Sequence, residues 1–368
     1  MSCNQTRFSS VFTLCALSFA QCILFCQPSF ALDSLAEAYL EQGKRNFDKG
    51  DLYAAKRLFN MSAKNAEMAY DSRLHKASIY NNAGEVYRRL YEEKGNSYAW
   101  DKVDEDGANF INRVIPDESI DQFFEPQTPL WMAAHFLSMS IRIKEEELGT
   151  FSLNLARSIE NLAVVYLARD RVDEAEALLR KSLKIRETKE GASALETAST
   201  CYTLAETLQR KGRQHSDSTA KIADFKESIA FSQRALAIWN ANKAGLELQA
   251  GANQQIALTY FYLDGETPNS TELEQCEVYL DRAESLYKRS LPASAKSYRD
   301  FKFKTADAAR AICDEREFRC ERELRSSSVA AKKNYLQKVI RACRRVGNSQ
   351  DAASYEGMLK NVLAGHNR

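Results

Sequence analysis

The chain is 368 residues long, with 51 Lys and Arg against 50 Asp and Glu, 27% charged and 44% hydrophobic residues. That is enough for two or three domains and apolar enough to bury a core. Only 14 residues are Gly and 6 are Pro, near half or less of the average usage of about 7% and about 5%. Sheet proteins spend those residues on turns, so the composition argues against an all-β fold, a collagen-like chain and a Pro/Ser-rich disordered chain, and the near-zero charge balance gives no bulk signal for a polyanion partner.

In chain order, residues 1–31 read as a secretory signal. Arg7 opens it, Phe8 to Cys26 carries no charge, Pro28 breaks the helix, and Ser29-Phe30-Ala31 sets small residues where a signal peptidase reads them. The expectation is a secreted or periplasmic protein cleaved after Ala31. The alternative is a membrane anchor through residues 8–26, a run that crosses most of a bilayer. No second long apolar run follows, so the mature form is expected off the membrane. Four cysteines leave with the signal; Cys201, Cys276, Cys313, Cys320 and Cys343 remain, too few and odd in number for a disulfide-stapled scaffold.

Beyond the signal the apolar residues keep helical spacing. In Leu155 to Tyr166, Ile159, Leu162, Ala163 and Tyr166 fall on one face; Arg169-Asp170-Arg171 interrupts; Val172, Ala175, Leu178, Leu179, Ser182, Leu183 and Ile185 form a second stripe; and Gly191 ends it as a helix C-terminal glycine would. The pattern recurs at 42 residues: Leu162-Ala163 returns as Leu204-Ala205 and Asp170 as Gly212, while Ala175, Leu179, Ser182, Leu183, Ile185 and Gly191 repeat Ala133, Leu137, Ser140, Ile141, Ile143 and Gly149. Five helical hairpins follow, about 34–70, 75–148, 153–190, 194–244 and 248–290. The second is split by an insertion, 93–129, holding Pro116, Pro126 and Pro129; the fourth carries about eleven extra residues, Gln214 to Asp224.

A small residue after an apolar one in helix A, an aromatic three later, and small residues again in helix B resemble the tetratricopeptide repeat. The 42-residue spacing is similar to the longer repeats of kinesin light chains and related bacterial proteins. The likeness covers roughly 34–290. It implies an all-α fold, a right-handed superhelix (an α-solenoid of helical hairpins) whose helix A faces line a concave, peptide-binding side. Helix-A residues off the packing stripe are then the candidate contacts: Asn81, Asn82, Glu85 and Arg88; Arg157, Asn161 and Val164; Ser199, Tyr202 and Glu206; Gln254 and Leu258. Asparagine can donate and accept at once along a peptide backbone, and arginine can grip a carboxylate with two bonds. Family members that clamp a C-terminal carboxylate use Lys and Asn at fixed helix-A sites; here Leu40 and Asn81 stand at the Lys sites, and only Asn82 and Asn161 match Asn sites. The full clamp is therefore absent. The domain reading is 1–31 signal, 32–292 repeat array, and 293–368 a C-terminal helical cap, with Tyr355, Met358, Leu359 and Val362 covering the last hydrophobic edge.

Helices over 293–325 and 329–346, turning near Ser327, put Cys313 and Cys343 at similar heights. A disulfide between them fits an oxidising compartment; the alternative is two buried thiols. No nucleotide-binding loop, zinc-protease motif or nucleophile elbow is present, and the four histidines, His75, His135, His215 and His366, lie in different repeats. Asp101 to Gly107 lacks the ligands of a calcium loop. Arg341, Arg344 and Arg345 lack interleaved aromatics for nucleic acid and read as a solvated helix face. The expectation is a non-enzymatic interaction module with no cofactor or metal, binding a protein or peptide. The rivals are a scaffold using its outer face, or an enzyme with its site in the insertion or the C-terminal helices.

Overall fold

A computed structural model describes residues 34–68, 72–94, 128–267, 270–291, 295–326 and 328–364. The expected signal, residues 1–31, and nearly all of the 93–129 insertion lie outside the described residues. Within them the chain is all helix, with fourteen helices and no strand, and none is long and apolar enough to cross a membrane.

The chain divides into two compact units, Met1–Lys189 and Glu190–Arg368. The first holds three hairpins: α1 (34–48) with α2 (Leu52–Met68), α3 (Arg73–Lys94) with α4 (Pro129–Leu148), and α5 (Leu153–Ala168) with α6 (Val172–Lys189). The second holds α7 (Leu195–Gln214) with α8 (Ser218–Ala241) and α9 (Leu246–Glu266) with α10 (Ser270–Ser290). It continues through α11 (Lys296–Lys304), α12 (Ala306–Ser326), α13 (Val329–Arg345) and α14 (Ser349–Leu363). The hairpins are those the 42-residue spacing predicts.

Local chemistry starts and stops these helices. Thr128, Ser152 and Asp217 cap α4, α5 and α8 by accepting backbone N–H groups of Trp131, Leu155 and Ala220, which satisfies donors that have no partner inside the helix. Gly149 and Gly191, a pair 42 residues apart, follow α4 and α6 with φ of +75° and +95°, a region glycine enters without a Cβ penalty.

Small residues decide how closely the two helices of a hairpin approach. The Ser62, Ser140 and Ser228 hydroxyls each donate to a carbonyl of the paired helix, that of Ala36, Ala77 and Ala205, at 2.7 Å. In the third hairpin Ser182 sits 3.3 Å from the Ala156 carbonyl and gives its proton to Glu160 at 2.6 Å. Arg186 closes on the same carboxylate, Nε to Oε1 at 2.6 Å and Nη2 to Oε2 at 2.7 Å. A Cβ added at Gly43 or Gly212 would lie 2.6 Å from the ring of Phe59 or Phe225, so each glycine is the seat for an aromatic of its partner helix.

Three expectations change. Asp170 does occupy the turn after α5, with φ +58°, but Gly212, its counterpart by spacing, lies buried inside α7. The extra residues of the fourth hairpin lie in longer helices, and the turn between α7 and α8 is residues 215–217. At the C-terminus, Tyr355, Leu359 and Val362 pack on the core of the second unit, whereas Met358 is 41% exposed. The expected long helix over 293–325 is broken at Thr305, whose hydroxyl turns back to the Phe301 carbonyl at 2.8 Å.

Ala163 and Ala205 are both fully buried. Ala163→Leu and Ala205→Leu should each lower unfolding free energy by about 1–3 kcal/mol through overpacking, measured by denaturant titration.

Candidate functional site

In the first unit, a cavity of ≈ 370 Å³ is lined by Lys44, Phe47, Asp48, Phe59, Asn81, Asn82, Glu85, Arg89, Arg157 and Asn161. Five of the residues singled out from the sequence, Asn81, Asn82, Glu85, Arg157 and Asn161, meet here. They do so because Asn81 and Glu85 on α3, and Arg157 and Asn161 on α5, are each four apart and share a helix face. Arg88 does not join them: it bonds to Glu85 at 2.6 and 2.9 Å, and to Glu92. One residue on, the helix has turned toward the cavity, and Arg89 lines it with its guanidinium 4.2 Å from the Phe47 ring centre.

Behind the cavity runs a polarised chain of hydrogen bonds. Lys144 Nζ donates to Ser158 Oγ at 2.7 Å, Ser158 donates to Asn81 Oδ1 at 2.8 Å, and Asn161 Nδ2 donates to the same oxygen at 3.3 Å. The Asn81 carbonyl is therefore taken up by two donors. Asn82 spends its amide on the Ser78 carbonyl at 3.0 Å.

Lys144 is only 7% exposed. Among the described residues no carboxylate stands within ion-pair reach of it or of Arg157. Burial, aided by the Arg157 charge, pushes the Lys144 ammonium down to about 8. The repeat explains the deficit. Lys144 and Ser140 lie 42 residues before Arg186 and Ser182, which share the Glu160 carboxylate. Matching Asn82 to Asn161 matches Asn81 to Glu160. The second hairpin thus keeps the cation and the serine but carries an amide where the third has the acid.

Tyr202, Glu206 and Gln254, also singled out, lie in the second unit. The Tyr202 ring lies 5.6 Å from that of Trp239, and Tyr287 Oη donates to Gln254 Oε1 at 3.4 Å. Burial raises the Glu206 carboxyl above its usual range, against the pull of Arg210, Lys304 and a hydrogen bond from Tyr202. Tyr202 is pushed well up by burial and by the Glu206 charge.

Cys313 and Cys343, both thiols here, have their sulfurs 3.4 Å apart, and Glu317 Oε1 lies 3.3 Å from the Cys343 sulfur. Sequence reasoning paired the cysteines by height but had no means to find Glu317, one turn along α12. Two sulfurs and an oxygen within 4.8 Å could serve as metal ligands, one short of the four of a structural zinc site. Lys144 and Ser158 were also missed; the 42-residue match of Lys144 to Arg186 is the signal that marks the former.

The sequence profile of the tetratricopeptide repeat matches residues 154–216, the stretch of α5, α6 and α7. That stretch of the chain thus matches the tetratricopeptide repeat, and each of the two units is built of helical hairpins of the kind such repeats form. Among solved structures it is similar to the apo form of RapI, at 12% identity and a TM-score of 0.52, over 89% of this chain and 97% of that one. It is also similar to the TPR-like repeats of a putative kinesin light chain from Podosopora anserina, at 14% identity and a TM-score of 0.38, over 71% and 94%. A third, aspartyl phosphate phosphatase F from Bacillus subtilis, is similar at 12% identity and a TM-score of 0.46, over 88% and 69%. No curated protein matches the sequence.

The Lys144 shift has a definite sign. Its folded value, about 8, lies below the unfolded value near 10.5, so the unfolded chain binds the extra proton between those limits and stability rises with pH across that window. Relative to Lys144→Met, the native protein should gain roughly 2–4 kcal/mol between pH 7.5 and pH 10.5, read from denaturant unfolding of both proteins at each pH.

Proposed function

We propose that this protein is an exported, non-enzymatic interaction module that holds a peptide segment of a protein partner against its helix-A faces, with the α3–α5 cavity as the principal contact. The observation that carries this is the buried, unneutralised Lys144 behind a cavity walled by three asparagines and Arg157. The Asn81 carbonyl is already occupied by Ser158 and Asn161, so its amide hydrogens and the Arg157 guanidinium are what the site offers. A partner supplying acceptors, either backbone carbonyls or an acidic side chain, complements that set. It also supplies the negative charge that the second hairpin lacks. Tyr202, Glu206 and Gln254 give the second unit a contact surface of mixed polarity.

Capture of partners on the immobilised protein, followed by mass spectrometry, tests this reading. A specific peptide should be retained by the native protein and lost with Arg157→Ala and Asn161→Ala together. Asn81→Glu should weaken the same capture by about tenfold or more, because it places a carboxylate of the protein's own before Lys144. Capture that survives all of these changes would move the contact to the outer face.

Export and the cysteine pair are tested on the same material. The protein recovered from outside the cytoplasm should begin at Leu32, and non-reduced peptide mapping should join the Cys313 and Cys343 peptides. A chain beginning at Met1 would replace export with anchoring through residues 8–26, and free alkylation of both thiols without reductant would leave them as two buried thiols.

A further inference from the structure

A larger cavity, ≈ 680 Å³, lies in the second unit among α10, α11 and α13. That volume falls in the range of small-ligand sites. Its wall carries six cations, Lys288, Arg289, Lys302, Arg341, Arg344 and Arg345, against two carboxylates, Asp281 and Glu284. The three arginines of α13 point into it together because positions i, i+3 and i+4 share a helix face.

The acids are heavily used. Glu284 meets Lys302 at 2.7 Å and both Lys288 and Arg345 at 3.1 Å, which hold its carboxyl down at about 2. Asp281 bonds to Arg345 and lies 3.7 Å from Arg341. Arg344 reaches Glu356 of α14 at 2.5 Å. Arg289 meets no carboxylate among the described residues.

With Glu356 counted, three positive charges remain in surplus. Lys302, Arg289 and Arg345 lie in the last turns of α11, α10 and α13, and each helix end offsets about half a charge at most. Between one and two charges are left unbalanced at the cavity. Lys288, Arg341 and Arg344 are 62%, 58% and 64% exposed, so their heads can leave solvent-screened ion pairs, worth little each, and turn onto a ligand. The Ser285 hydroxyl adds a neutral donor to the wall.

We propose that this cavity is a binding site for a phosphate monoester, gripped by Arg289, Arg341 and Arg344. Such a group carries about −1.5 to −2 charges at neutral pH, which matches the surplus. Its oxygens accept the paired N–H bonds that guanidinium groups present, a fit that a lysine-lined patch would lack. The site is separate in its residues from the asparagine-lined cavity and stands whether or not that one binds a peptide. The monoester can come from a small molecule or from a phosphorylated side chain.

Calorimetric titration of the full chain at about 0.15 M ionic strength tests this with four probes: inorganic phosphate, O-phosphoserine, a short phosphoserine peptide and its unphosphorylated twin. Saturable binding of O-phosphoserine is expected. Arg289→Gln with Arg341→Gln should weaken it about tenfold or more for each guanidinium removed. These changes leave the Glu284 network intact, and an unaltered thermal transition verifies the fold. Arg310→Gln, on the exposed face of α12, should change nothing. Equal affinity for O-phosphoserine and the phosphopeptide identifies the small molecule as the source; a phosphopeptide bound at least tenfold tighter identifies a modified partner. Absence of saturable binding by any phosphorylated probe, equal binding of the unphosphorylated peptide, or unchanged affinity in the double variant would overturn the proposal.

Discussion

The close crossing of the two helices in each hairpin is the constraint on which the rest of this structure depends. A serine hydroxyl of helix B reaching an alanine carbonyl of helix A at 2.7 Å in three hairpins demands that neither side chain be larger. A buried hydroxyl left without such a partner would cost about 1–3 kcal/mol, and a larger residue would force the helices apart. Glycines at 43 and 212, each under a phenylalanine ring, apply the same rule about two turns along helix A. Because the crossing is rigid, the helix-A face turned away from it is held in place. That is what lets Asn81, Asn82, Arg157 and Asn161 converge from two different hairpins.

The same architecture makes the electrostatics of the first unit informative. Repetition places equivalent groups in equivalent surroundings, so a departure from the repeat stands out. Arg186, Ser182 and Glu160 form a closed buried set in the third hairpin. The second hairpin keeps its cation and serine and loses its acid. A buried ion deprived of its partner is costly, and Lys144 carries that cost as a lowered proton affinity. A fold built only for stability gains nothing from this exchange; a surface that receives acceptors from outside does.

Charge is distributed unevenly at a scale that bulk composition averages away. A chain with 51 basic and 50 acidic residues nonetheless gathers six cations around one cavity, because α10, α11 and α13 all bring their C-terminal turns there, and basic residues are favoured at helix C-termini. Two of the acids in that wall are consumed by multiple cations. The surplus is therefore local and arises from packing, not from composition.

Much of the architecture was readable from residue order. The helices, their hairpin pairing and the 42-residue period follow from apolar spacing and from a helix-ending glycine, Gly191, which acts within a few residues of itself. The heights of Cys313 and Cys343 followed from helical rise alone. Five members of the α3–α5 cavity were legible because projection off a packing stripe uses the same local period. What packing alone decided was everything needing a second element. Arg89 lines the cavity in place of Arg88 because of the rotation of α3 against α1 and α2. Gly212 is a seat for Phe225 and not a turn, because the extra residues of the fourth hairpin prolong its helices. The arginines of α13 line a cavity, in place of a plain solvated face, because α10 and α11 supply its other walls. Periodicity specifies which face a side chain occupies; what stands opposite that face is set by contacts distant in sequence.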